Sequence, residues 1–243
     1  VLCHLVDIVD AGYRYNVYEY QRDFLKVYDD MKRRSLMPVL CGGSGMYVDS
    51  VVRGYRLTQV PVNEELRLSL DGRSLDELTV MLSKYKRLHN KTDVDTVKRA
   101  VRAIEIEEYY LENPSDHDPF PVIKPLVAGI LFDRDIRRDR ITRRLKERLD
   151  GGMIEEVQRL LDAGIHPDDL IYYGLEYKYV TLYLLNSLSY TEMYQKLETE
   201  IHRFAKRQMT WFRGMERRGI DIKWIDGMMY EDEKLEQILQ WTK

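Results

Sequence analysis

Residues 38–47 read PVLCGGSGMY, a short apolar run that breaks into Gly42, Gly43, Ser44 and Gly45 before Met46 and Tyr47 open a helical pattern. A continuous apolar run suits a buried parallel strand, and glycines at its carboxyl end let the backbone turn sharply and present N–H groups to a ligand. Open α/β sheets bind their ligands at that place. A plain strand-to-helix turn with glycines at φ > 0 satisfies the same stretch, so the flanking chain decides between the two.

Upstream, residues 1–10 (VLCHLVDIVD) read as another buried strand, ending in Asp7 and Asp10, and lead through residues 13–20 into a helix, EYQRDFLKVYDDMKRR. His4, alone near the strand start, is read as structural. Downstream, the helix begun at Met46 runs to Gly54, and Pro61 opens a different kind of sequence. Asn63 caps EELRLSL, Ser74 caps LDELTVMLSKYKRL with Glu77 completing a capping box, and Thr92 or Asp95 opens TVKRAVRAIEIEEYYL. Helices without intervening strands predict an all-helical insert over 54–112. After a proline-bearing acidic linker at 113–125, a strand is expected at 126–132, helices at 134–151, 153–163, 170–185 and 190–218, and a last strand at 220–225 before a short amphipathic helix. The predicted fold class is α/β: a parallel sheet core, 1–53 with 113–243, flanked by helices and interrupted by the insert.

With 243 residues, 44% of them hydrophobic, the chain can bury a full core. No apolar run approaches the ~20 residues of a membrane span, and no signal peptide is visible. Cys3 and Cys41 both fall in apolar runs, so two buried thiols and a reducing compartment, the cytoplasm, are expected. The net charge of −3 conceals segregation: residues 134–148 carry eight basic against three acidic residues, and residues 201–218 carry six against one. Two basic helices on an otherwise acidic chain suit a polyanion that touches one face.

On a helical wheel, residues 201–217 place Ile201, Phe204, Ala205, Gln208, Trp211, Phe212 and Met215 on one face, and His202, Arg203, Lys206, Thr210, Arg213 and Arg217 on the other, with Arg207 between. A solvated basic face explains most of this. Gln208 does not fit it, because an amide in the apolar face needs partners within the fold or from a substrate. A second basic cluster, Lys98, Arg99 and Arg102, fits either an anion site or a salt-bridge network with Glu105, and Arg67 has the same two readings. Tyr172, Tyr173, Tyr177 and Tyr179 with Lys178 could stack unpaired bases. The cysteines and five histidines lack metal-ligand spacing, and neither GxSxG nor GxxxxGK[ST] occurs.

Taken in order, HLVDIVD (4–10), YEYQRDF (18–24), GGSGMY (42–47), KRAVRAIEI (98–106), GGMIEEV (151–157), LEYK (175–178) and AKRQMTWFR (205–213) resemble the tRNA dimethylallyltransferases, or tRNA isopentenyltransferases. The resemblance implies a P-loop NTPase-like core with a helical insert gripping the anticodon stem-loop, and transfer of a dimethylallyl group from dimethylallyl diphosphate to N6 of adenosine 37 in tRNA. It implies Mg²⁺ with the diphosphate and a monomeric protein without a membrane anchor. Ser44, at the family's threonine position, and Arg67 are implied at the reacting centre, with Gly42, Gly43 and Gly45 on the diphosphate side. Lys98, Arg99, Arg102, Tyr173, Tyr177, Lys178, Arg203, Lys206, Arg207, Gln208 and Thr210 are implied to contact tRNA.

Three departures stand out: Glu176 occupies a family glycine position, His202 and Arg203 replace an Arg-Gln pair, and the insert is short. Because the family's P-loop and aspartate base precede the position of Val1, the chain shown is expected to lack both and to be inactive alone. Two alternatives accompany this reading: an adenylate isopentenyltransferase acting on free nucleotide, and a non-catalytic RNA-binding module.

Overall fold

A computed structural model of the chain describes residues 2–55, 57, 59–86, 88, 94–114 and 120–242. The chain divides into two compact units, Val1–Gly54 with Val122–Lys243, and Tyr55–Pro121.

The first unit begins with α1 (Val17–Arg33) and α2 (Gly45–Val52). Asn16 starts α1 through a capping box with Glu19, each satisfying an N–H that the helix cannot. The chain then builds the second unit from α3 (Glu64–Ser69), α4 (Leu75–Tyr85) and α5 (Val97–Glu112). Their stops and starts are local chemistry: Asn63 accepts from Leu66 N–H, Ser74 and Glu77 form a capping box, and Thr96 Oγ1 accepts from Arg99 N–H. Leu70, Leu78, Leu82, Ala100, Ala103 and Ile104 form the core of this all-helical unit.

Back in the first unit, β1 (Val127–Leu131) pairs in parallel with β2 (Ile222–Asp226), Val127 opposite Ile222 and Leu131 opposite Asp226. Between them run α6 (Arg134–Arg148), α7 (Ile154–Asp162), α8 (Pro167–Tyr173), α9 (Leu175–Leu184) and the 28-residue α10 (Tyr190–Arg217), and α11 (Glu231–Trp241) follows β2. Leu145, Leu149, Met153, Val157, Leu170, Val180, Met193 and Leu197 interlock as the main core. The fold is therefore α/β and P-loop NTPase-like: a small parallel sheet flanked by helices, plus a large helical insert.

Several expectations are corrected. The strands expected over 1–10 and 38–41 are not formed by residues 2–10 and 38–41: among the described residues only β1 and β2 pair, and Leu2, Val6, Met37 and Val39 are exposed. An apolar run becomes a strand only when another edge takes its backbone hydrogen bonds, and neither segment has that edge here. Cys3 and Cys41, which lie in these segments, are exposed rather than buried. Phe204, placed on the inner face by the wheel, is also exposed. The cap of α5 is Thr96 and not Asp95, whose carboxylate pairs with Arg99 instead; Thr92 lies outside the described residues. The helix expected over 170–185 is two helices, because Gly174 adopts φ 145°, which a side chain disfavours.

Candidate functional site

The glycine turn is pressed against α10. Gln208 Nε2 donates to the carbonyl of Gly43, 2.5 Å away, which answers the question its place in the apolar face raised. A Cβ on Gly43 would collide with that amide, and one on Gly45 would lie 2.5 Å from the Trp211 ring. Gly42, Gly43 and Gly45 are absent from the residues with positive φ, so the turn uses them for close approach and not for left-handed backbone. Ser44 caps α2 without a side-chain capping bond, is exposed, and its hydroxyl has no partner among the described residues. It stands at the positive end of the helix, where an anionic group is favoured.

Two further contacts fix α2. Buried Asp49 accepts from Arg218 Nη2 at 2.6 Å, and Gln21 Nε2 donates to the Ser50 carbonyl at 2.9 Å. Neither pair was anticipated from sequence. An acid at the fourth residue after the last glycine and an arginine after α10 carry no local spacing that joins them.

Beside this lies a cleft of about 600 Å³, lined by Asp7, Asp10, Tyr13, Tyr15, Tyr47, Glu156, Arg159, Tyr172, Tyr173 and Tyr177 among others. Tyr177 donates to Glu156 Oε1 at 2.5 Å, and this bond, with burial, pushes its hydroxyl up to about 12. Tyr173 and Tyr177 meet edge to face, with centroids 5.9 Å apart, and Tyr173 Oη accepts from Gly12 N–H. Lys178 lies over the Tyr179 ring at 5.4 Å. Glu176 sits in the first helical turn of α9, so an acid in place of glycine there imposes no backbone strain and favours the helix dipole.

On α10, Arg203, Lys206, Arg207 and Thr210 are exposed; Arg203 pairs with Glu200, Arg207 lies over Phe204, and Thr210 Oγ1 donates to the Lys206 carbonyl.

In the helical unit, Glu105 is 2% exposed and gathers the cations. Arg67 donates to both of its oxygens at 3.0 and 3.1 Å, Arg102 donates to Oε2, and Asn63 N–H donates to Oε1 at 2.7 Å. Burial pushes Glu105 up, but the bonds from Arg67, Asn63 N–H and Arg102 outweigh it and hold the carboxyl below its ordinary value. Arg102 also donates to the Val60 carbonyl at 2.7 Å. Arg99 pairs with Asp95, while Lys98 is exposed without an ion pair among the described residues.

No three His, Cys, Asp or Glu side chains converge as a metal group among the described residues. None of the described helices is long and apolar enough to cross a membrane.

Residues 1–215 match the IPPT family, described as IPP transferase. The chain belongs to the IPP transferase family. It is 60% identical over 240 residues to tRNA dimethylallyltransferase 2 of Bacteroides fragilis, covering 99% of this chain and 78% of that protein. Against tRNA dimethylallyltransferase 1 of Parabacteroides distasonis the identity is 57% over 232 residues, 96% of this chain and 76% of that one. The crystal structure of the full-length tRNA isopentenylpyrophosphate transferase from Bacillus halodurans superimposes with a TM-score of 0.66 at 26% identity, over 98% of this chain and 76% of its own. IPP transferases carry out a divalent-metal-dependent transfer, but the described side chains of this member offer no three-donor cage for the ion.

Proposed function

We propose that this IPP transferase moves a dimethylallyl group from dimethylallyl diphosphate to N6 of adenosine 37 in tRNA. The N6–carbon bond forms, the carbon–oxygen bond to diphosphate breaks, and N6 gives up one proton. One observation carries the geometry: Gln208 and Trp211 clamp the glycine turn so that Ser44 Oγ stands unpartnered at the positive end of α2. A fixed hydroxyl and helix N-terminus stabilise charge developing on a diphosphate leaving group without reorganising. Mg²⁺ accompanies the diphosphate; it commonly takes one or two carboxylates and phosphate oxygens, and no step here is routed through it.

The helical unit, 54–112, is read as a tRNA grip in which Lys98 and Arg99 face the RNA backbone, while Arg67 and Arg102, held on Glu105, frame that surface. Tyr173, Tyr177 and Lys178 of the tyrosine cleft offer stacking faces, and Arg203, Lys206, Arg207 and Thr210 a basic face. The protein is read as a monomer acting in the cytoplasm.

The test is nucleoside mass spectrometry of unmodified tRNA incubated with dimethylallyl diphosphate and Mg²⁺, using the chain with any adjoining coding sequence restored. N6-dimethylallyl adenosine at position 37 is expected, with Ser44→Ala lowering turnover on the order of 10-fold or more. Product on free AMP but not on tRNA overturns the choice of acceptor. Salt-sensitive tRNA binding without any product overturns catalysis and leaves an RNA-binding module.

A further inference from the structure

A second polar cavity, about 400 Å³, lies between α6 and α10, apart from the glycine turn. Arg138, Asp139 and Thr142 line it from α6, and Glu198, Thr199, His202, Arg203 and Lys206 from α10. Thr142 Oγ1 donates to Glu198 at 2.7 Å and lies 3.4 Å from His202 Nε2, which ties the two helices together across its floor. Arg138 and Lys206 make no ion pair among the described residues, while Arg203 is shared with Glu200. His202 Nδ1 is sealed from solvent and has no hydrogen-bond partner among the described residues. Arg138 and Lys206 are exposed at the rim of the cavity, above a buried nitrogen of the kind that ordinarily finds a partner.

We infer that this groove seats one backbone phosphate of the RNA substrate, held by Arg138, Arg203 and Lys206 beside the His202 ring. The inference rests on the tRNA reading above but adds a contact on α6 that the motifs did not point to. With Arg203 shared with Glu200, Arg138 and Lys206 face Asp139 and Glu198, so the groove has no surplus charge for a free diphosphate, and a single phosphodiester is the anion that it suits better. Position supports it as well, since the groove opens along the basic face of α10 that continues to Arg213 and Arg217.

His202 gives the site a signature. Burial and the charge of Arg138 hold its ring neutral further into acid than usual, with Glu198 opposing them. Asp139, Arg203 and Lys206 complete the charged groups around it. A phosphate arriving beside the ring favours the protonated form, so binding takes up a proton, and affinity rises as pH falls through the His202 value of the complex.

The experiment measures tRNA affinity of the full-length protein at several salt concentrations, at pH 8 and pH 6, for wild type, Arg138→Gln, His202→Gln and His202→Arg. Arg138→Gln is expected to weaken binding about 5-fold or more and to lower the log–log salt slope by about 1. His202→Gln removes the gain in affinity between pH 8 and pH 6, and His202→Arg removes the pH dependence while keeping tight binding at pH 8. Melting temperatures establish that each variant is folded; where His202→Gln is not, His202→Arg and Arg138→Gln decide. Unchanged slope and pH dependence in folded variants overturn the inference. Inorganic pyrophosphate that abolishes the difference between wild type and Arg138→Gln overturns it too, by assigning the groove to free diphosphate. Product formation by the wild type is scored separately: its absence counts against the proposed reaction, while binding differences still judge the groove.

Discussion

The helical unit and the α6–α10 groove start from similar sequence and end in opposite electrostatic states. KRAVRAIEI and HRFAKRQ both set basic residues three or four apart on one helix. In the first, a carboxylate from the same helix is buried beneath the cations, and Arg67 and Arg102 spend their fork-shaped donors on it. In the second, no carboxylate is buried beneath the cations: Glu198 accepts from Thr142, Glu200 holds only Arg203, and Arg138 and Lys206 make no ion pair among the described residues. Charge spacing therefore does not say whether a basic cluster is scaffold or surface. The burial of one carboxylate does.

The largest effect expected from this contrast is at Glu105. Glu105→Gln removes the negative charge beneath two guanidiniums and should lower stability by about 3 kcal/mol, at the lower edge for a broken buried pair. The discount reflects Arg67 and Arg102, whose side chains are 39% and 37% exposed and can rehydrate. The pH dependence has a fixed sign. Because the folded carboxyl is held below its ordinary value, its contribution is present at neutral pH and is lost as pH falls through the glutamate range. Thermal melts from pH 7 to pH 3 should show wild type and Glu105→Gln converging in acid. A constant gap across that range would mean that Glu105 acts through packing, and the comparison with the groove would lose its electrostatic basis.

Next in size is the turn. Gly45→Ala places a methyl group 2.5 Å from the Trp211 ring, and overpacking at such a contact costs about 1–3 kcal/mol. Trp211→Leu makes room, so the double variant should recover part of the loss, a coupling of about 1 kcal/mol or more in a double-mutant cycle. Additive effects would show that the turn is not clamped by α10 and would leave Ser44 without a fixed frame.

This clamp also marks the boundary of what sequence could reveal. Helix starts were legible at Asn63 and Ser74, because the cap is a contact within a few positions, but the cap at Thr96 was not, with Asp95 beside it an equally good acceptor by type. The oddity of Gln208 was legible too, although its partner, 165 residues away, was not. The glycines were read as conformational when their purpose is steric, since only the packed structure brings Trp211 to Gly45. Residues 1–10 and 38–41 looked like strands because apolarity is local, whereas pairing belongs to a neighbour. Gly174 looked like any glycine in a helix until its φ of 145° separated α8 from α9. Of the groove, only half was legible: the wheel put His202, Arg203 and Lys206 on one face, but nothing local tied them to Arg138 and Thr142.

The smallest expected effect tests whether α6 acts by geometry or by bulk charge. Arg143 stands one turn from Arg138 and Asp139, outside the groove, with its nearest acid, Glu147, 3.9 Å away and both side chains 67% exposed. An exposed pair at that distance is screened and mobile, so Arg143→Gln should change stability by less than about 0.5 kcal/mol. It removes the same unit of charge from the same basic helix as Arg138→Gln. If the groove seats a phosphate, the tRNA salt slope should fall by about 1 for Arg138→Gln and by much less for Arg143→Gln, because counterion release follows phosphates contacted and not charges carried nearby. Equal losses would mean that α6 attracts RNA through its summed field, and that the cavity between α6 and α10 is incidental to it.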